Sequence, residues 1–96
     1  MPAYIIVEID IHDTTQYEEY KKLTAASLLP FQGRFIVRGG ETELLEGDSE
    51  PKRIVVLEFP SKELAKAWWS SNEYAPAKEL RQRIATTRMI IVKGVD

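Results

Sequence analysis

Apolar and polar residues alternate with a period of two along four segments of the chain, a pattern that indicates β-strands with distinct faces. In the first segment Ile5, Val7 and Ile9 share one face. Glu8 and Asp10 fall on the opposite face. The pattern predicts strands at Ala3 to Ile11, Arg34 to Arg38, Arg53 to Phe59 and Thr87 to Lys93.

Two further stretches carry apolar residues at helical spacing. Asp13 can cap the first helix, with Gln16 three residues on, and Pro30 ends it. Ser61 can cap the second, which we expect to break near Ser70 and restart. The order strand, helix, strand, strand, helix, strand predicts an α+β fold of the ferredoxin-like split βαβ type (βαββαβ). Its four-stranded antiparallel sheet would carry the helices on one face.

The segment after the second strand is rich in turn-forming residues. Gly39 and Gly40 mark an expected β-bulge or sharp bend. A brief continuation of the strand is expected at residues 42–46, before a turn at residues 47–52. The glycine pair lacks the lysine and hydroxyl residue of a phosphate-binding loop, so it predicts a structural role.

The face of the predicted sheet that lies away from the helices is also apolar. An apolar area this continuous is unusual on the surface of a monomer in water, and a second copy of the chain would cover it. We therefore predict a homodimer in which two sheets pair as a dimeric α+β barrel. The residues on this face are Tyr4, Ile6, Ile36, Ile54, Val56, Ile90 and Val92.

Size and charge narrow the range of partners. The 96 residues suit one domain over residues 1–96. With 13 Lys and Arg against 15 Asp and Glu, the net charge is −2, and the basic residues are scattered. This distribution argues against a nucleic acid or a membrane surface as a partner.

The absence of cysteine excludes disulfides and thiolate sites. No secretory signal or membrane span is seen in the sequence, so we expect a soluble, cytoplasmic protein.

Several motifs occur in the order and spacing of one family. They are VRGG at Val37 to Gly40, LEG at Leu45 to Gly47, PKRIVVLEFPS at Pro51 to Ser61, AWWSSNEY at Ala67 to Tyr74, and Arg81. With them the chain resembles domain of unknown function family 1330 over nearly its whole length. The resemblance implies the fold and the assembly of the dimeric α+β barrel group, and it implies no activity.

Charged residues predict a first candidate site, on the sheet face opposite the helices. We expect the first and third strands to run side by side in the same direction, which would make Glu8 and Glu58 neighbours. Two close carboxylates in a partly buried site hold one proton more tightly and can act as acid or base. Arg34 and Arg88 are expected at the same end, where they would instead keep both carboxylates ionised in a structural ion-pair network.

His12 is the single histidine and follows the first strand at the end where the carboxylates are expected. It is a candidate for proton transfer together with Glu8 and Glu58. A solvated loop histidine is the alternative, and His12 with Glu8 and Asp10 lacks the spacing of an established metal motif. We predict neither a metal nor a cofactor.

Aromatic residues predict a second candidate site, on the helix side of the sheet. Trp68 and Trp69 are about 100° apart around a helix axis, so only one of them can point straight at the sheet. We expect Trp68 in the core and Trp69 beside Tyr74 at the helix break. These two rings could wall a cavity, or they could simply pack.

Tyr17 and Tyr20 on the first helix raise the same question. If they converge with Trp69, the group would form an apolar pocket for a small aromatic or aliphatic molecule. Arg38 or Arg81 could then hold an acidic group of that molecule.

Two functions remain open at this point. The first is a homodimeric protein that binds a small apolar or aromatic molecule. The second is a cofactor-independent enzyme, similar to a monooxygenase or an isomerase, that uses the histidine and the carboxylate pair for proton transfer.

Overall fold

The computed structural model describes residues 1–95. Residue 96 of the predicted domain lies outside the described residues. The elements are β1 (Ala3–Ile11), α1 (Thr14–Leu28), β2 (Arg34–Arg38), β3 (Arg53–Phe59), α2 (Lys62–Trp69), α3 (Ala75–Ile84) and β4 (Ala85–Lys93), with a short 3-10 turn at Leu29–Phe31. The bounds predicted for β1, β2 and β3 are confirmed, and β4 begins two residues before its predicted start at Thr87.

The four strands form one sheet in the order β2-β3-β1-β4, with every neighbouring pair antiparallel. The crossover through α1 makes β2 run in the same direction as β1. The chain then reverses, so that β3 lies between β1 and β2 and runs antiparallel to both. The predicted ferredoxin-like α+β fold is therefore confirmed. In the part of the chain that is described, no helix is both long and apolar enough to cross a membrane.

The helix ends follow the predicted caps. The Asp13 side chain accepts a hydrogen bond from the backbone N–H of Gln16, at 3.0 Å, and so satisfies a free donor at the start of α1. Ser61 Oγ accepts from the backbone N–H of Leu64, at 3.1 Å, at the start of α2. The predicted break near Ser70 separates α2 from α3.

The core fills the space between the helices and one face of the sheet. Trp68 is fully buried at its centre. Its ring centre lies 4.0 Å from that of Tyr74 and 5.6 Å from that of Phe59. Alternate strand residues supply the rest of this layer because successive side chains point to opposite faces. The largest fully buried side chains are Trp68, Tyr74, Phe59, Ile5, Ile9 and Leu57.

A β-bulge interrupts the pairing of β2 with β3. Phe35 lies opposite Leu57, but Val37 lies opposite Val56, so Ile36 is one extra residue. The extra residue reverses the faces of the two positions that follow it, because side chains alternate along a strand. In a regular strand Val37 would point towards the helices with Phe35, but after the bulge it faces away from them.

The same bulge moves Arg38 to the helix side of the sheet. Arg38 lies opposite Val55, which is buried beneath the helices. Its guanidinium lies 4.1 Å from the ring centre of Phe35, which packs against the core. A regular strand would have placed Arg38 on the same face as Arg34, away from the helices.

The chain turns after β2 and does not continue as a strand. Gly39 has a φ of 70° and its N–H donates to the Ile54 carbonyl, at 2.8 Å. The expected bend is confirmed here, although the bulge lies three residues earlier. The predicted continuation at residues 42–46 is wrong, since these residues have no partner strand and form an open loop.

The other face of the sheet bears the apolar residues that the pattern predicted, together with Val37, which the bulge turns towards this face. Ile36, Val37, Ile90 and Val92 are each between 39% and 43% exposed. Ile6 lies between Val56 and Ile90 in the same row. Because the helices pack on the opposite side, this face, which we call the outer face, has no cover from residues 1–95.

Candidate functional site

Two pockets lie on the helix side of the sheet, and Met89 lines both. The first, which we call the α1 cavity, lies between α1 and the strands. The second, which we call the β4 groove, lies between β4 and the α2–α3 pair. The α1 cavity is lined by Val7, Ile9, Tyr17, Tyr20, Lys21, Thr24, Phe35, Arg38, Arg53, Val55, Leu57, Trp68 and Met89. The β4 groove is lined by Ile5, Trp69, Arg81, Gln82, Thr87, Met89, Ile90 and Ile91.

The α1 cavity is narrow and mostly apolar, with a few polar groups in its lining. About 20 Å³ of it is wide enough for the centre of a water molecule. The Arg53 Nε–H donates to the Tyr17 hydroxyl oxygen, at 3.0 Å, and the guanidinium lies 5.3 Å from the Tyr17 ring centre. Burial raises the pKa of Tyr17, and the nearby charge of Arg53 opposes that rise. The cavity therefore joins an apolar interior to two guanidinium groups, from Arg38 and Arg53.

A chain of hydrogen bonds runs through the core between the two pockets. Arg81 Nε–H can only donate, so the Tyr74 hydroxyl oxygen accepts it, at 3.3 Å. The same hydroxyl lies 2.9 Å from that of Tyr20, on the wall of the α1 cavity. Burial raises the pKa of Tyr20, and the neighbouring Tyr74 adds to this effect. These three side chains connect the wall of one pocket to the wall of the other.

The β4 groove is wider and more polar than the α1 cavity, with a volume of about 340 Å³. The Trp69 ring forms one wall and is 41% exposed. Lys78 Nζ lies 3.9 Å from the centre of that ring, in cation–π geometry. Arg81 lines the same groove although its residue is 6% exposed.

The residues that were predicted to form one aromatic pocket line two separate pockets, the α1 cavity and the β4 groove. Tyr17 and Arg38 line the α1 cavity, whereas Trp69 and Arg81 line the β4 groove. Tyr74 is fully buried between them. The expected convergence of Tyr17 and Trp69 is wrong because the core layer separates them.

The tryptophans take the orientations that the helix geometry predicted. Trp68 is buried and Trp69 points sideways. The expected pair of Trp69 with Tyr74 is wrong, since Tyr74 packs on Trp68. The break between α2 and α3 turns Tyr74 inwards, so that it packs against Trp68 and not against Trp69.

The predicted carboxylate pair is also wrong. Glu58 lies opposite Tyr4, near the beginning of β1, and Glu8 lies opposite Ile54. Because β1 and β3 are antiparallel, the two carboxylates lie four residues apart along the strand, about 14 Å at a rise of ~3.4 Å per residue. The expectation failed because it took these strands to be parallel.

Each carboxylate has an arginine neighbour of its own. Arg34 lies opposite Glu58, and its Nε–H donates to a Glu58 oxygen at 2.6 Å. Arg88 lies opposite Glu8 on the neighbouring strand. The expectation that Arg34 and Arg88 lie at the same end of the sheet is therefore wrong. Among the described residues an ion pair joins Arg34 to Glu58, whereas Arg88 lies opposite Glu8 without one.

His12 lies at the Glu8 end, where Glu8, Asp10 and Thr86 line a further surface groove of about 250 Å³. His12 Nε2 is 3.2 Å from Thr86 Oγ1 and 4.0 Å from a carboxylate oxygen of Asp10. More than half of the His12 side-chain surface is exposed. Among residues 1–95 no three His, Asp or Glu side chains are grouped to hold a metal ion.

Two polar lining residues on which the proposals below depend, Arg53 and Thr87, were not among the predicted site residues. Arg53 is the first residue of β3 and Thr87 the third of β4, and both lie on the face that carries buried residues. A period-two pattern already places Arg53 in line with Val55 and Leu57. A charged side chain in such a row is the signal that could have identified it.

Residues 2–95 match the family described as Domain of unknown function (DUF1330). The chain belongs to this family. The resemblance carried by its sequence motifs is thus confirmed, and the family's description assigns no activity. No curated protein matches the chain.

Several solved structures share the fold of this family member. A protein of unknown function from Rhodopseudomonas palustris, RPA0582, is 17% identical with a TM-score of 0.78, over 99% of this chain and 83% of that one. SnoaB, a cofactor-independent oxygenase from Streptomyces nogalater, is 14% identical with a TM-score of 0.67, over 99% and 94% of the two chains. A dimeric ferredoxin-like protein of unknown function from Jannaschia sp. CCS1 is 13% identical with a TM-score of 0.67, over 98% and 100%. At these identities the likeness shows the fold alone.

Proposed function

We propose that this protein binds a small apolar or aromatic molecule with one acidic group in the α1 cavity. The observation that carries the proposal is a mostly apolar cavity whose lining includes Tyr17, Arg38 and Arg53. Ligand sites in proteins commonly combine an apolar lining with a few polar groups that fix orientation. Arg38 and Arg53 can hold a phenolate or carboxylate, while the apolar walls contact the rest of the molecule.

Binding in the α1 cavity requires its walls to move apart. The 20 Å³ of open space holds about one water molecule. Lys21, Arg38 and Met89 are long, flexible side chains in the lining, and their rotation enlarges the cavity without moving the strands. We therefore expect binding to be accompanied by rearrangement of these side chains.

Calorimetric titration with 1-naphthol tests the proposal, since this probe joins two aromatic rings to a weakly acidic hydroxyl. We expect saturable binding, weakened at least about tenfold in Arg38→Met, the size of effect that loss of a hydrogen bond from a charged group causes. Arg83→Met is the matched control, because Arg83 is an exposed arginine of α3 outside the cavity lining. Equal affinities in Arg38→Met and the unaltered protein would contradict a role for the cavity.

We also propose that a second copy of the chain covers the outer face. The continuous row of half-exposed apolar side chains on that face supports this assembly. The similarity to a ferredoxin-like protein described as dimeric is in agreement with it. Two such sheets facing each other would form a dimeric α+β barrel.

A second candidate function is a cofactor-independent enzyme that uses His12 and Glu8. The observation that favours it is the approach of His12 to Asp10 and Thr86 beside the groove that Glu8 lines. Glu58 belongs to the opposite end of the sheet and is no longer part of this proposal. Consumption of dissolved oxygen in the presence of 1-naphthol, abolished in His12→Asn, tests this candidate.

A further inference from the structure

Arg81 is buried without a carboxylate partner. Its residue is 6% exposed, and the structure records no ion pair for it within residues 1–95. Its recorded hydrogen bond is to the neutral hydroxyl of Tyr74, through Nε alone. Buried guanidinium groups are normally compensated by an anion, because removing a charge from water is costly. The terminal nitrogens of Arg81 therefore remain available to an anion from outside the chain.

The β4 groove gives such an anion access to Arg81. Thr87 lines the groove, and its Oγ1 is a buried atom without a hydrogen-bond partner in the structure. Buried polar groups are usually paired, so this hydroxyl has an unmet capacity to donate. None of the groove's lining residues is acidic. Unused donors therefore lie at the groove on α3 and just beneath its surface on β4, and none of its lining residues carries a negative charge that would repel an anion.

Trp69 supplies an apolar surface beside these donors. Its exposed ring lines the groove, and Lys78 lies over it. A flat ligand can stack on an indole ring while its charged end reaches the guanidinium. The groove is also far roomier than the α1 cavity, at about 340 Å³ against 20 Å³.

We propose that the β4 groove is a second ligand site, specific for a small flat carboxylate such as an aromatic acid. The Arg81 guanidinium and the Thr87 hydroxyl donate to the carboxylate, and the ring of the ligand lies against Trp69. This site is separate from the α1 cavity, because Tyr74 and the rest of the core lie between them. The proposal for this groove does not depend on the function proposed for the α1 cavity.

Benzoate, with benzamide as its uncharged counterpart, is the probe that tests this site. In a ¹H–¹⁵N NMR titration we expect benzoate to shift the indole signal of Trp69 and the backbone signals of Arg81 and Thr87 saturably. Benzamide should bind at least about tenfold more weakly, because it lacks the charge that a guanidinium recognises. A shift pattern confined to Tyr17, Phe35 and their neighbours would assign benzoate to the α1 cavity and overturn the proposal.

Two substitutions separate a binding role from a structural one. Arg81→Met should weaken benzoate binding at least about tenfold, whereas the exposed control Arg83→Met should leave it unchanged. Thr87→Val, which keeps the shape of the side chain, should raise the melting temperature by removing an unpaired hydroxyl, and yet lower benzoate affinity severalfold.

Thr87→Val keeps the test decisive should Arg81→Met fail to fold. An unchanged benzoate affinity in Thr87→Val would overturn the proposal, as would equal affinities for benzoate and benzamide. The absence of saturable shifts with benzoate would overturn it as well.

Discussion

The hydroxyl oxygens of Tyr20 and Tyr74 lie 2.9 Å apart in the centre of the core, 54 residues apart in the chain. Tyr20 comes from α1 and Tyr74 from the residue before α3. Buried hydroxyls need partners, and here each provides one for the other. This contact joins α1 to the start of α3 and has a measurable consequence for stability at high pH.

We expect the free energy of unfolding to fall steeply above about pH 10. Burial raises the pKa of Tyr20 above its ordinary value of 10.0, so the folded state keeps a proton that the unfolded chain loses. Stability is therefore fully present below pH 10 and declines as the pH rises, by up to about 1.4 kcal/mol per pH unit for this group. Urea unfolding at a series of pH values from 8 to 11 measures how the free energy of unfolding depends on pH. This range lies on both sides of the ordinary tyrosine pKa of 10.0.

Tyr20→Phe is the control for that titration. It should lower stability at neutral pH by about 1 kcal/mol, through loss of a buried hydrogen bond, and make the alkaline slope shallower. Identical slopes in the variant and the unaltered protein would show that other groups cause the alkaline loss.

Gly39→Ala should destabilise the protein, whereas Gly40→Ala should not. Gly39 has a φ of 70°, and a Cβ there would collide with the guanidinium of Arg53. The backbone strain alone costs about 1 to 2 kcal/mol, and displacing Arg53 would also disturb its bond to Tyr17. A Cβ at Gly40 would meet nothing within 4 Å. Urea unfolding of both variants provides the comparison, and equal stabilities would contradict this account.

The two adjacent tryptophans should differ in their access to solvent. Trp69 is 41% exposed and Trp68 is fully buried. Iodide quenching of fluorescence should therefore be largely abolished in Trp69→Phe and retained in Trp68→Phe. Trp68→Phe should also lose at least about 1 kcal/mol of stability, because Nε1 donates to Ser27 Oγ at 2.9 Å. Strong iodide quenching that persists in Trp69→Phe would contradict the burial of Trp68.

Ile90→Lys should dissociate the proposed homodimer. Ile90 lies on the outer face, on the edge strand β4 and opposite Ile6 of the central strand β1, where a lysine would have to be buried without a partner in the dimer. Leu29→Lys is the matched control, because Leu29 is 79% exposed on the turn after α1. Sedimentation velocity should show a dimer for the unaltered protein and the control, and a monomer for Ile90→Lys. A well-folded monomer of the unaltered protein would count against the assembly.

The strands and caps could be predicted because they depend on neighbouring residues alone. Period-two alternation located β3 to the residue, and Asp13 marked the start of α1. Strand direction and register depend on the whole chain, and this is where the pairing of Glu8 with Glu58 failed. No glycine marks the bulge at Ile36, which becomes visible only through the residues opposite it.

The candidate site was predicted in composition but not in arrangement. Arg38 and Tyr17 do share a pocket, yet only because an unforeseen bulge turns Arg38 towards the helices. Trp69 and Arg81 share a second pocket that the pattern did not separate from the first. Which side chains of different elements come into contact depends on how the elements pack together. The periodicity along one element does not encode that packing.

The extra residue at Ile36 also limits how β2 can be compared between relatives. In a homologue without the bulge, an ungapped alignment from Arg34 forwards would equate Arg38 with a position on the opposite side of the sheet. That side chain would lie on the outer face instead of in the lining of the α1 cavity. An alignment that starts from Gly39, runs backwards and places a gap at Ile36 keeps equivalent side chains on the same face of the sheet.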